Sequence, residues 1–412
     1  MAYRSSRGRL SFLFAILIAV AVAGAACGDG GGDDSDGGTA SAPADETSAP
    51  TTQAPAATTA AAAPATTAAA AVDDASAGDF GTLDFLGWEG YDTFFGVTDS
   101  TLSELGIEIN ATYIGTPADI VSRFASGGGG GIDVLAWTSA VHAPYRSVEG
   151  VLSPISPTEV PNLAGLISLF ADDTWDQFKD ADGNWLAIPF SFAPLGITYD
   201  SAQISPTSYA DLLAPELTGK VAIPDIPDLH LQAAAAALGL DPQTVTADEV
   251  DEIIEFMRPI FAQARVLSPS FGDVISLLAS GEVVASYGGY PGLGAFTENP
   301  DIVTVFPAEG TFAFVEVYSI PADADNRAGA LAFINAMLDP EVNALINDTF
   351  AQATPVQASI ELMSDLNRAL YPYDDLAGFL AANPVTSLPS GQNGAITMGD
   401  FIEAYATLSA GG

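Results

Sequence analysis

Cysteine occurs once in 412 residues, histidine twice, and lysine and arginine together 11 times against 52 acidic residues. The lone Cys27 excludes an intramolecular disulfide. His142 and His230 show no metal-ligand spacing, so zinc chemistry lacks a donor set. A Ser-His-Asp triad would have to use one of these two, and no Gly-x-Ser-x-Gly elbow accompanies them. Gly219-Lys220 lacks the glycine-rich loop and the following hydroxyl of a phosphate loop. Carboxylate pairs are too numerous to mark a glycosidase. The formal charge of −41 opposes nucleic acid and anionic lipid and favours cations, although acidity that serves only solubility accounts for most of these side chains.

Long apolar runs are also scarce. One stands near the start, where Arg4, Arg7 and Arg9 precede Leu10 to Val22 and a small-residue exit, Ala23-Gly24-Ala25-Ala26, before Cys27. This is the pattern of an export leader over residues 1–26. It resembles the lipobox of bacterial lipoproteins, whose cysteine is acylated and becomes the new N-terminus, with Gly24 in place of the usual leucine. An uncleaved anchor is the alternative, but the run falls short of a span of ~20 residues. Removal of the three arginines takes the charge from −41 to −44. No later run is long and apolar enough to cross a bilayer, which predicts an extracytoplasmic chain held to the membrane by lipidated Cys27 alone. Residues 27–78, Gly/Asp-rich and then Ala/Thr/Pro-rich, bury too little apolar surface to fold and read as a tether.

From residue 79 the pattern turns to α/β. GTLDFLGW (81–88), IEINATYI (107–114) and IDVLAWTS (132–139) read as strands, with helices over Phe94 to Leu105 and ADIVSRFAS (118–126) between them. That alternation predicts a parallel sheet covered on both faces. Ligands of such sheets collect at the carboxyl ends of the strands, where Trp88, Tyr91, Trp137, Thr138 and Ser139 lie. Asp180 to Asn184, between Trp175 and Trp185, looks superficially like a calcium loop but lacks the twelve-residue frame and terminal glutamate, so it reads as a turn. LAIPFSFAPLGITYD (186–200) is extended, apolar and proline-marked, a strand passing between two bodies. A second α/β unit follows, with helix, a Gly219-Lys220 turn and a strand ending at Asp225 in SYADLLAPELTGKVAIPD (208–225), helices over Leu229 to Leu238 and from a Thr246 cap to a break near Pro259, then helix, glycine turn and strand in DVISLLASGEVVASYGGYPG (273–292). Arg327 to Leu338 and Pro340 to Thr349 read as helices.

The most informative stretch is TFAFVEVYSIP (311–321). As a strand it places Phe312, Phe314, Glu316 and Tyr318 on one side, so one carboxylate stands among three rings. An unpaired buried charge costs several kcal/mol. The partner is either a cationic ligand from outside, or Glu316 sits at a strand end in water or beside an arginine of the chain. Tyr287 and Tyr290 form a second candidate pair, as ferric-iron tyrosinates or, with fewer demands, as packing or ligand-lining rings.

Seven stretches in order resemble the periplasmic spermidine/putrescine-binding proteins of polyamine ABC transporters: FLGWEGY (85–91), GIDVLAWTS (131–139), AIPFSFAPLGITYD (187–200), SYADLLAPELTGKVAIPD (208–225), LASGEVVASYGG (278–289), FVEVYSIPADADNRAGALAFINAMLDPEV (314–342) and ATPVQAS (353–359). The resemblance implies a two-lobed, type II-like periplasmic-binding-protein fold with the ligand cleft between lobes joined by crossing strands. Lobe one would hold 79–191 plus 316–358, and lobe two 192–315 plus 359–412. It further implies that Trp88 and Tyr91 form an aromatic wall, that Thr138 and Phe314 line the pocket, and that Glu316 takes an ammonium group. The family's second acidic pair falls on Ile226 and Leu229, with Asp225 and Asp228 close by. Gly289, beside Tyr290, replaces a tryptophan, and Ala140 and Gln352 stand where tyrosines are expected. The implied protein is a monomeric, non-enzymatic receptor without metal or cofactor, which delivers a polyamine or another amine to an ABC permease. A sugar or ferric ligand is the alternative within transport. A sensor or adhesion lipoprotein on the same fold is the alternative outside it.

Overall fold

The computed structural model describes residues 78–88, 90–114, 130–142, 150–171, 178–389 and 391–409. The leader, Cys27, nearly all of the tether, the helix expected over 118–126 and Trp175 lie outside these residues. In chain order, counting helices of eight residues or more, the elements are β1 (Gly81–Trp88), α1 (Tyr91–Glu104), β2 (Ile107–Ile114), β3 (Val134–Thr138), β4 (Ile188–Pro194), β5 (Gly196–Asp200), β6 (Val221–Pro224), α2 (Pro227–Ala237), α3 (Ala247–Phe261), β7 (Ala264–Ser268), α4 (Phe271–Ser280), β8 (Ala285–Gly289), β9 (Ile302–Val305), β10 (Ala313–Ser319), α5 (Arg327–Met337), α6 (Pro340–Phe350) and α7 (Met398–Ser409).

The strands form two sheets with one shared plan, ordered β2-β1-β3-β10-β4 and β7-β6-β8-β5-β9. In each, three parallel strands stand beside an antiparallel fourth, which pairs antiparallel with the fifth. The fourth strand of each sheet arrives from the other lobe, which is why the two α/β units are bound together by their own sheets. The apolar segment 186–200 becomes two strands in different sheets, with Leu195 at the switch. The return crossing lies between β9 and β10, and the two crossings are tied where the Leu195 N–H donates to the Phe312 carbonyl at 3.0 Å.

The expected lobe limits of 192 and 315 therefore shift: β4 stays in the first sheet through Pro194 and β10 belongs to it from Ala313, because ladder pairing runs the whole length of both. Residues 359–412 likewise divide. Tyr371, Leu376, Leu380 and Leu388 pack into the first core with Phe85, Phe94, Phe190 and Phe333, whereas Ile396, Phe401, Tyr405 and Leu408 join the second with Ile223, Met257 and Tyr287. Only the end of the chain covers lobe two, since the apolar stripe of α7 meets α3 and α2.

Local chemistry explains most element limits. Glu249 accepts from the Thr246 N–H and hydroxyl at 2.7 and 2.8 Å and so fastens the start of α3. Pro259 does not stop that helix, which runs on to Phe261. The helix expected in SYADLLAPELTGKVAIPD ahead of the Gly219-Lys220 turn is instead two 3-10 turns, Tyr209–Leu213 and Pro215–Leu217. The 180–184 segment is a turn: Asp180 accepts from the backbone N–H of Asp182 and Asn184, both at 2.9 Å, and its other oxygen accepts from the Asn184 amide at 3.1 Å.

Gly196 is the tightest point of the crossing, since a Cβ there would stand 2.4 Å from the Val305 carbonyl oxygen of β9. Backbone cannot yield as a flexible side chain can. Gly196→Ala should lower stability by ~1–3 kcal/mol in urea titration, the range for overpacking; an unchanged midpoint would show that β9 yields freely.

Candidate ligand-binding cleft

Trp88, Ile114 and Thr138, the final residues of β1, β2 and β3, all line one cavity of about 250 Å³. The opposite wall is built by the same rule: the segments after β6, β7 and β8 bring Asp228, Phe271 and Tyr290 to the cavity. Parallel strands end together on one side of a sheet, so both sheets direct their loops into one gap. The lobes meet over it, with Tyr290 edge-on to Phe314 at 6.0 Å between ring centres and Phe296 edge-on to Phe350 at 6.3 Å.

Glu316 stands on the antiparallel β10, opposite Thr138 of β3 and Ser191 of β4. Phe312, Phe314 and Glu316 face the cavity, as strand alternation requires. Tyr318 does not reach it: the β4 pairing shifts after Glu316, and the Tyr318 ring stacks on Phe190 at 3.9 Å and meets Phe333 of α5. The Glu316 side chain is 8 % exposed, and its Oε2 accepts from the Trp88 indole N–H at 3.1 Å and the Tyr91 hydroxyl at 3.2 Å. Burial pushes its carboxyl up to about 7, and those two donors only partly oppose the rise. Among the described residues no lysine or arginine pairs with it. Burial, followed by the Glu316 charge, raises the Tyr91 and Tyr290 hydroxyls.

A second acid faces the same cavity. Asp228, in the first turn of α2 and 8 % exposed, is likewise raised to about 7 by burial, against the pull of its own backbone N–H. Pro227 starts the helix and turns Asp228 inward, which leaves Asp225 outside the helix. Two carboxyls and a wall of aromatic rings therefore face one cavity.

Residues 99–369 match the family model of bacterial extracellular solute-binding proteins. The chain belongs to this family. The spermidine/putrescine-binding periplasmic protein of Escherichia coli strain K12 is 24% identical over 313 residues, 72% of this chain and 85% of the relative. The putrescine-binding periplasmic protein SpuD of Pseudomonas aeruginosa strain UCBPP-PA14 is 29% identical over 294 residues, 66% and 78% of the two chains. The Tp0655 (TpPotD) lipoprotein of Treponema pallidum shares the fold with a TM-score of 0.65 at 18% identity, over 79% of this chain and 99% of that one. The fold is the two-lobed α/β arrangement of the periplasmic binding proteins.

In this solute-binding protein the cleft gathers eight of the expected residues: Trp88, Tyr91, Thr138, Asp228, Tyr290, Phe314, Glu316 and Gln352. Four others do not line it. Trp137, one residue before Thr138, faces the opposite side of β3 and donates to the Ser319 hydroxyl at 3.0 Å. Ser139 is fully buried at the start of a short helix. Asp225 is exposed and accepts from the Tyr405 hydroxyl at 2.8 Å. Tyr287 is buried in the second core, stacked on His230 at 5.2 Å, which separates it from Tyr290 and removes the tyrosine pair as an iron site. Among the described residues no cluster of three histidine, cysteine or acidic side chains could hold a metal. Phe271 and Phe350 were not foreseen. The carboxyl-end rule would have found Phe271 had ARVLS (264–268) been recognised as β7.

The raised carboxyls make stability depend on pH. A group at about 7 in the folded chain still holds a proton that the unfolded chain has lost above ~4–5, so folding is favoured at low pH and that advantage disappears as pH rises through about 7. Ligand-free Glu316→Gln should gain thermal stability over the parent between pH 5 and pH 8; a constant difference across that range would contradict ionisation of Glu316 in place.

Proposed function

We propose that this solute-binding protein captures a small organic cation in its cleft, without turnover, and delivers it to the permease of an ABC importer. The observation that carries the proposal is Glu316: a carboxylate enclosed by rings and held by two donors, with no cation of the described chain beside it. Its ionised form is costly until a positive group arrives. Ammonium over the rings of Trp88 and Tyr91 adds cation–π attraction of ~0.5–2 kcal/mol per contact. Asp228 in the same cavity favours a molecule with two positive ends, in keeping with the polyamines in the names of the relatives. Leu195 and the segment around Phe312 would serve as the hinge about which the lobes close.

The protein would work as a monomer outside the cytoplasm, tethered through acylated Cys27 and residues 27–78. Its strongly negative surface keeps the tethered domain off an anionic bilayer and draws cations toward the cleft. In cells fed a labelled fatty acid, the parent should carry label in the membrane fraction and Cys27→Ser should not. Equal labelling of both would remove the anchor from this account.

Calorimetry tests the binding reading. Glu316→Gln should weaken binding of 1,4-diaminobutane by at least tenfold with the fold intact, and equal affinity in parent and variant rejects the role of Glu316. For the parent, affinity should rise from pH 5 to pH 8, because the carboxyls at about 7 ionise there while an amine of pKa ~10 keeps its charge.

A further inference from the structure

We infer that Gln352 makes the cleft select an amine that carries an oxygen acceptor, a hydroxyl or a carbonyl, beside the ammonium group received by Glu316. The inference rests on the amine reading above and narrows it.

Gln352 is 8 % exposed and lines the cavity. Three bonds fix it. Its backbone N–H donates to the Asn347 carbonyl at 3.0 Å, its carbonyl accepts from the Asn367 amide at 3.1 Å, and its side-chain Oε1 accepts from the Ser191 hydroxyl. Asn347 and Asn367 are themselves tied into a buried network, with the Asn347 amide donating to the Phe190 carbonyl at 3.1 Å and the Asn367 amide to the Asn347 carbonyl at 2.8 Å. Gln352 is therefore held from behind, and with Oε1 engaged its Nε2 is the end left over. That nitrogen makes no hydrogen bond to a described residue.

Ser191 is the partner of Glu316 in the β4–β10 pairing, so the Gln352 amide sits on the same side of the sheet as the Glu316 carboxylate. Gln232, the other side-chain amide at the cavity, and the two donors that hold Glu316 are already engaged, whereas Thr138 and Tyr290 also bring hydroxyls to it. Trp88 and Tyr91 donate to Glu316, and Gln232 donates to the Asp228 carbonyl at 3.2 Å while accepting from the Thr386 hydroxyl at 2.8 Å.

An ammonium group has donors and no acceptor, so a plain diamine seated at Glu316 cannot satisfy the Gln352 N–H groups. A donor that the bound ligand covers and leaves unpaired penalises that ligand, and a site built to hydrogen-bond a substrate oxygen discriminates against the analogue that lacks it. An oxygen on the carbon next to the aminomethyl group would receive the Gln352 donor while the ammonium meets Glu316 and the far amine meets Asp228.

The test compares 1,4-diaminobutane with 1,4-diaminobutan-2-ol, two compounds that differ by one hydroxyl, by calorimetry on the mature chain. The parent should bind the hydroxylated diamine about tenfold more tightly. Gln352→Met, which keeps the side-chain length and loses the donor, should bind both alike, and Ser191→Ala, which frees the amide to turn, should narrow the preference without abolishing binding of either. Glu316→Gln should weaken both compounds together. Equal affinity of the parent for the two diamines, or a preference that survives in Gln352→Met, overturns the role of Gln352 and leaves the amine reading standing. Failure of the parent to bind either compound rejects both.

Discussion

Glu316 sets the terms for the cleft. An ionised carboxylate surrounded by rings is unfavourable wherever water is excluded, and two neutral donors do not restore what hydration supplied. Burial consequently lifts its proton affinity to the neutral range. Everything arranged around it, from the indole of Trp88 and the hydroxyl of Tyr91 to the facing strands β3 and β4, holds an anionic group ready at a place the chain itself does not neutralise among its described residues.

That position follows from the shared plan of the two sheets. Because the chain crosses between lobes just after β4 and just before β10, these two neighbouring strands of the first sheet adjoin both crossings, and the hydrogen bond between Leu195 and Phe312 binds the crossings together. Phe314 and Glu316, in the first half of β10, therefore stand at the wall of the cleft and close to both crossings. The aromatic contacts of Tyr290 with Phe314 and of Phe296 with Phe350 add favourable edge-on packing where the lobes meet.

Much of this was legible in the chain. The strands at 81–88 and 107–114 were foreseen with their observed limits, since turn residues bound them on both sides. The cleft positions of Trp88, Thr138, Phe314 and Glu316 followed from strand ends and alternation. The same alternation could have excluded Trp137, which shares a strand end with Thr138 and cannot share its face. Asp225 and Asp228 could not be separated from composition, because the choice depends on where α2 begins and how its first turn is rotated. The 359–412 segment was assigned whole to one lobe, yet its two halves pack into different cores, a division that no local periodicity announces.

By itself the sequence determined the α/β alternation, the scarcity of catalytic and metal-binding side chains, and the presence of one acid in an aromatic strand, because these depend on near neighbours along the chain. Tertiary structure decided which acids share a cavity, which tyrosines are spent in the core, and which end of Gln352 is left without a partner among the described residues. Those outcomes require residues far apart along the chain, such as Ser191 and Gln352 or Tyr91 and Glu316, to meet, and such meetings are fixed by packing and sheet register rather than by any local preference.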